Sequence, residues 1–212
     1  MTTFLDEAVG RGHRLDPVLP TTGGPAGNAR LTAWTGAVLF VLLAVEGVTI
    51  LDVRGLLTWH FVVGLLLVPP ALLKTASTGW RILRYYTGSA AYRVAGPPPM
   101  ILRLLGPLVI VSTLAVLGTG VLLALLGPDA SRARLASTPG PPLTWLALHK
   151  AAFVVWFLVT VPHVLGRLVP ALRLIRPRAV PGRPLRVLVL GLTAAGAVAG
   201  TVLLLGIAPV WR

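Results

Sequence analysis

Four side chains carrying basic nitrogens stand inside or beside apolar stretches of this chain: His60, Lys74, His149 and His163. Fourteen residues separate His60 from Lys74, and fourteen separate His149 from His163. In a helix that spacing is about 21 Å of rise in just under four turns, which leaves the two members of each pair within roughly 40° of one face. A polar group inside a membrane helix is costly to bury, so each of the four is a functional candidate by default. Imidazole ligates transition metals and haem iron, and a lysine amine can join it only in its neutral form, which burial favours. Two helices running in the same direction would present facing nitrogens at two depths.

The elements that must position these groups follow from hydropathy. The chain has 212 residues, 55% hydrophobic and 12% charged, about half the charged share of a soluble domain. Apolar runs of about twenty residues, each enough to cross a hydrocarbon core of roughly 30 Å, are read over Leu31–Leu51, Leu57–Ala76, Met100–Leu126, Pro142–Leu165 and Leu185–Ile207. Unpaired backbone groups are excluded from lipid, so these runs are helices. The fold class expected is all-α: an integral membrane bundle of five transmembrane helices, occupying residues 31–212. Residues 1–30 (DPVLPTTGGPAGNAR among them) read as a disordered cytoplasmic tail with no cleavable signal peptide, and His13 within it carries no expected role.

Charge placement gives an orientation. Arg81, Arg84, Arg93 and Arg103 join the second and third spans, and Arg167, Arg173, Arg176, Arg178, Arg183 and Arg186 join the fourth and fifth. Only Arg54, Arg132, Arg134 and Arg212 lie on the other side. The positive-inside rule then puts the N-terminus in the cytoplasm and the C-terminus outside a bacterial cell membrane. The net charge of +13 is explained by topology rather than by nucleic acid, because no basic face interleaved with aromatic residues accompanies it. The absence of cysteine excludes disulfides, c-type haem attachment and cysteine-held iron–sulfur clusters.

With that orientation His60 and His149 lie near the outer boundary, and Lys74 and His163 towards the cytoplasm. An imidazole pair from two helices of a bundle is a common cradle for haem b. Residues 31–175 resemble the transmembrane diheme cytochromes b, whose ligand histidines lie thirteen or fourteen apart on two helices. The stretches LDVRGLLTWH, LLKTASTGWRILRYYTG, YRVAGPPP and LHKAAFVVWF are similar to actinobacterial membrane proteins of a cytochrome b-like type. The resemblance implies a four-helix haem-binding core, iron ligation by His60, His149 and His163, and two b-type haems, or one at minimum. It also implies electron transfer between quinone and an oxidoreductase partner subunit. Lys74 stands where such a protein has its fourth histidine, and is read either as an amine ligand, as a propionate partner, or as a cation reaching the headgroups.

Arg81, Arg84, Arg103 and Arg167 are candidates to pair the propionates of an inner haem, with plain topology as the alternative for each. Glu46, the one acid well inside a span, would orient an imidazole, relay a proton, contact a quinol, or bond a neighbouring helix as a neutral acid. Gly64, Gly118, Gly120, Ala151 and Ala152 leave space beside the ligands. Gly196 and Gly200 form a GxxxG pair expected to pack on another helix of the same chain. The residues include no flavin- or nicotinamide-binding segment, so an electron-transfer subunit is expected rather than a complete reductase. The competing classes are a small transporter, with these polar groups as an ion path, and a haem-free assembly subunit.

Overall fold

A computed structural model describes residues 4–9, 11, 16–94, 96–136, 140–176, 179–206 and 211. The described chain is all-α, with helices α1 (Phe4–Ala8), α2 (Gly24–Leu51), α3 (Leu57–Tyr86), α4 (Ala90–Val94), α5 (Met100–Arg132), α6 (Trp145–Ile175) and α7 (Arg183–Leu204). Five of them, α2, α3, α5, α6 and α7, are long and apolar enough to cross a membrane. Their outward faces carry large apolar side chains such as Leu158 and Leu203, 65% and 81% exposed, a surface suited to lipid and not to water. The protein is a multi-pass membrane bundle. His13, Arg178, Ile207 and Arg212, used above for the tail, the orientation and the last span, lie outside the described residues.

The helices overrun the expected spans. Hydropathy marks only the part of a helix that sits in hydrocarbon, whereas α3 continues from Ala76 to Tyr86 and α6 from Leu165 to Ile175 through arginine-bearing turns. Pro69 and Pro70 in α3 and Pro162 and Pro170 in α6 lie inside helices rather than ending them. In α5, Gly127 (φ 74°, ψ 177°) breaks the helical geometry just before Pro128.

Within residues 1–30, read from sequence as a disordered tail, the structure places α1 and the first turns of α2. Helix α1 packs on α6 and α5, and the Phe4 ring fills the place a side chain at Gly166 would take. Helix α2 begins at Gly24 instead of Leu31, with Pro25 in its first turn, a position that tolerates the missing N–H. Ala26 and Ala29 there are buried. Gly23 and Gly182, both at φ 78°, precede α2 and α7 and press together: a Cβ on Gly23 would fall 2.8 Å from the Pro181 carbonyl oxygen. Arg186 donates to the carbonyls of Thr22 (3.2 Å), Pro181 (2.7 Å) and Val180 (2.8 Å). Arg81 pairs with Asp16 at 2.5 Å, and Arg30 donates to the Arg176 carbonyl. These contacts form a polar collar over one end of the bundle.

Packing is cyclic. Helix α2 packs on α3, α3 on α5, α5 on α6, and α6 on α2, while α7 lies outside against α3 and α2. The corners α3 and α6 are diagonal: among the described residues no α-carbon of one comes within 8 Å of an α-carbon of the other. Hairpin connectivity makes α3 and α6 parallel, both running towards the collar. The two helices that carry the four candidate ligands therefore face each other across the bundle axis, held apart by α2 and α5.

Helix α7 corrects the reading of its glycines. Ala197 and Thr201 are the buried positions of α7, and nothing among the described residues lies within 4 Å of a Cβ built on Gly191, Gly196 or Gly200. The GxxxG pair faces away from the bundle, one helical position off the packed seam.

Candidate functional site

At the level far from the collar, His60 and His149 reach across the diagonal gap. Their ring centroids are 6.4 Å apart with planes at 75°. Each ring is fixed through Nδ1. For His60, Nδ1 lies 2.9 Å from Glu46 Oε1 and 3.1 Å from Thr49 Oγ1, both on α2. The Thr49 hydroxyl also lies 2.7 Å from the Glu46 carbonyl and 3.3 Å from Glu46 Oε2. For His149, Nδ1 lies 3.0 Å from Thr119 Oγ1, which also lies 2.6 Å from the Ala115 carbonyl and 3.1 Å from the Val116 carbonyl.

Gly120 gives the His149 ring its room, since a Cβ there would sit 3.2 Å from His149 Cε1, whereas one on Gly64 would meet Glu46 Oε1 at an ordinary 3.5 Å. Gly118 has open space around it among the described residues. Below the imidazoles, Trp156 Nε1 donates to Thr113 Oγ1 at 3.0 Å and ties α6 to α5. An apolar groove of about 440 Å³ runs along these two helices from Leu148 and Thr119 to Val159 and Leu108.

Nearer the collar, Lys74 and Arg167 both lie within electrostatic range of His163. Lys74 Nζ donates to the Thr32 carbonyl at 3.2 Å and occupies the notch at Gly36, where a Cβ would be 2.8 Å from it. Nδ1 of His163 is buried without a hydrogen-bond partner among the described residues. An unpaired buried imidazole nitrogen is expensive and calls for an occupant. Around Lys74, Ser77 Oγ lies 2.9 Å from Thr32 Oγ1, and Asn28 donates to the Ser77 carbonyl at 3.0 Å. The amine is thus seated in a hydroxyl- and amide-lined seam between α2 and α3.

Of the four arginines singled out in the sequence, only Arg167 gathers with Lys74 and His163. Arg81 is paired with Asp16, Arg84 lies over the Trp80 ring at 5.6 Å, and Arg103 is exposed in the first turn of α5. Thr49 and Thr119 were not singled out. Threonine is common in apolar helices, but Thr49 and His60 flank the α2–α3 turn at matching depth, a signal available from the hairpin alone.

No protein-family model, curated protein or solved structure matches this chain. The geometry must therefore carry the functional reading. Among the described residues no three His, Cys, Asp or Glu side chains gather as a metal site, so a closed tetrahedral centre held by such ligands has no candidate here. An axial pair has one. Two metal–nitrogen bonds of about 2 Å, plus about 1 Å from each nitrogen to its ring centre, require centroids about 6 Å apart.

Proposed function

We propose that this protein is a membrane cytochrome b that holds haem b between α3 and α6 and carries electrons across the bilayer. The observation that supports it most is the His60–His149 pair. Two imidazoles from diagonal helices stand 6.4 Å apart, with both Nδ1 atoms engaged. Haem b bound there would supply one-electron chemistry at its iron. Glu46, Thr49 and Thr119 hold the two rings through Nδ1, while α2 and α5 hold the two ligand helices apart.

At the collar level His163 would hold a second haem. Lys74, within electrostatic range of His163, is the candidate opposite it. An amine that donates to Thr32 through a hydrogen keeps its lone pair when neutral, so the contact is compatible with ligation. Arg167 is the candidate propionate partner at this level. In the orientation argued from arginine placement, the collar faces the cytoplasm of a bacterial cell, and His60 and His149 lie towards the outside. Quinone and an oxidoreductase subunit are the proposed electron partners.

Protein purified in detergent after expression with ample haem tests this. A Soret band, dithionite-induced α and β bands, and about two haems per chain by pyridine haemochrome are expected. His60→Ala or His149→Ala should remove one haem, and His163→Ala the other. Colourless protein would reject the cytochrome reading in favour of a transporter or an assembly subunit. One haem that survives His163→Ala would reject the second site.

A further inference from the structure

Thr35, Ser112 and Thr193 each donate to the carbonyl four residues back in their helix, at 2.8, 2.7 and 2.8 Å, as hydroxyls in apolar helices do. Thr160 on α6 does not. It is 8% exposed, and its Oγ1 is buried without a hydrogen-bond partner among the described residues. Nδ1 of His163, three residues further along the same helix, is in the same condition. Buried polar atoms are rarely left so, and here two complementary ones share a helix face.

The far level shows what such a pair does. There each imidazole meets a threonine hydroxyl at Nδ1, His60 that of Thr49 at 3.1 Å and His149 that of Thr119 at 3.0 Å. Thr160 offers His163 the same group from one turn back on its own helix. Side chains at that spacing have Cβ atoms about 5–6 Å apart, and a helical side chain leans back over the turn before it. Rotation of the His163 ring about its own side-chain bonds therefore brings Nδ1 within reach of Oγ1. Pro162 lies between the two residues. It has no N–H for the Leu158 carbonyl, so this turn of α6 lacks one rung and adjusts more easily than its neighbours.

We propose that Thr160 is the positioning residue of His163: its hydroxyl engages Nδ1 and leaves Nε2 as the ligand nitrogen. A hydroxyl both donates and accepts, so it can serve Nδ1 while the ring gives Nε2 to a metal. This rests on the cytochrome reading and its second site, and adds the group that orients the ligand there. A partner that holds a ligand imidazole commonly contributes tenfold to a hundredfold in metal affinity.

Loss of haem from the purified full-length holoprotein to an excess of apomyoglobin is the test, with Thr160→Val and Thr160→Ser beside the native chain. Valine exchanges the hydroxyl for a methyl at nearly the same volume. Thr160→Val should release the haem that His163→Ala abolishes at least tenfold faster, and should shift the low-spin electron paramagnetic resonance signal of that haem. The His60–His149 haem should be released at the native rate, which also reports that the variant is folded. Thr160→Ser keeps the hydroxyl and drops the methyl, so it should hold both haems as the native protein does, a rescue that a packing role would not give. Native release and an unmoved signal in Thr160→Val overturn the proposal and leave the cytochrome reading intact. Thr160→Ser that loses the haem as fast as Thr160→Val overturns it too. If Thr160→Val fails to keep the His60–His149 haem, Thr160→Ala, which removes the hydroxyl and adds nothing, is read by the same criteria. A single haem in the native protein overturns the proposal together with the second site, and protein without haem overturns both readings.

Discussion

Two threonines meet the imidazoles at Nδ1. Thr49 and Thr119 each stand within hydrogen-bond reach of a carbonyl of their own helix, a habit of hydroxyls in apolar helices, and of a histidine Nδ1. That makes the site sensitive to changes that touch no ligand. Gly120 gives a sharp case: a Cβ there would be 3.2 Å from His149 Cε1, and the further methyls of valine would displace the ring. On the proposed cytochrome reading, Gly120→Val should therefore lose roughly half or more of the His149-level haem, since overpacking beside a ligand has no cheap relief. Gly118→Val, with open space around it among the described residues, should retain the haem. The haem-to-protein ratio of the two variants, measured side by side, checks this. At this scale the sequence was legible through rarity. Three histidines, one lysine and one acid in apolar surroundings stand out, whereas hydroxyls and glycines near them are common in every membrane helix.

At the scale of elements, the fourteen-residue spacing made sense only if the second and fourth spans were parallel and face to face. The structure gives them as diagonal corners, with α2 and α5 as spacers. The spans themselves were legible because hydrocarbon demands apolar length. Their ends were not, because α2, α3 and α6 extend into turns of arginine, glycine and alanine that hydropathy scores as loop. Helix α7 was misread for another reason: GxxxG marks a possible seam, but which neighbour exists is set by the rotation of the helix. Ala197 and Thr201 are buried, and Gly196 and Gly200 have open space among the described residues. Ala197→Leu should thus destabilise the bundle by about 1–3 kcal/mol through overpacking, and Gly196→Leu should stay within about 0.5 kcal/mol, as surface changes do. Unfolding midpoints in detergent would rank the two, and equal losses would mean that α7 packs through a different face.

For the molecule as a whole, the collar and the diagonal pair divide the bundle into two levels along one axis. Fourteen residues of helix put about 21 Å between them, most of the hydrocarbon thickness of roughly 30 Å. On the proposed cytochrome reading, a single relay at either level would leave one long gap to one side of the membrane, so transfer across the bilayer would need both. Proteoliposomes with ferricyanide trapped inside and a reductant restricted to the outside isolate this property. Native protein should oxidise the external reductant at a rate proportional to protein per vesicle. His163→Ala, which keeps the His60–His149 pair, should bind one haem and show a normal spectrum for it, yet lose at least about tenfold in that rate, equivalent to about 1.4 kcal/mol of barrier. An undiminished rate in a variant confirmed to hold one haem would mean that electrons do not pass through His163, and that Lys74 and Arg167 serve only to anchor the helices.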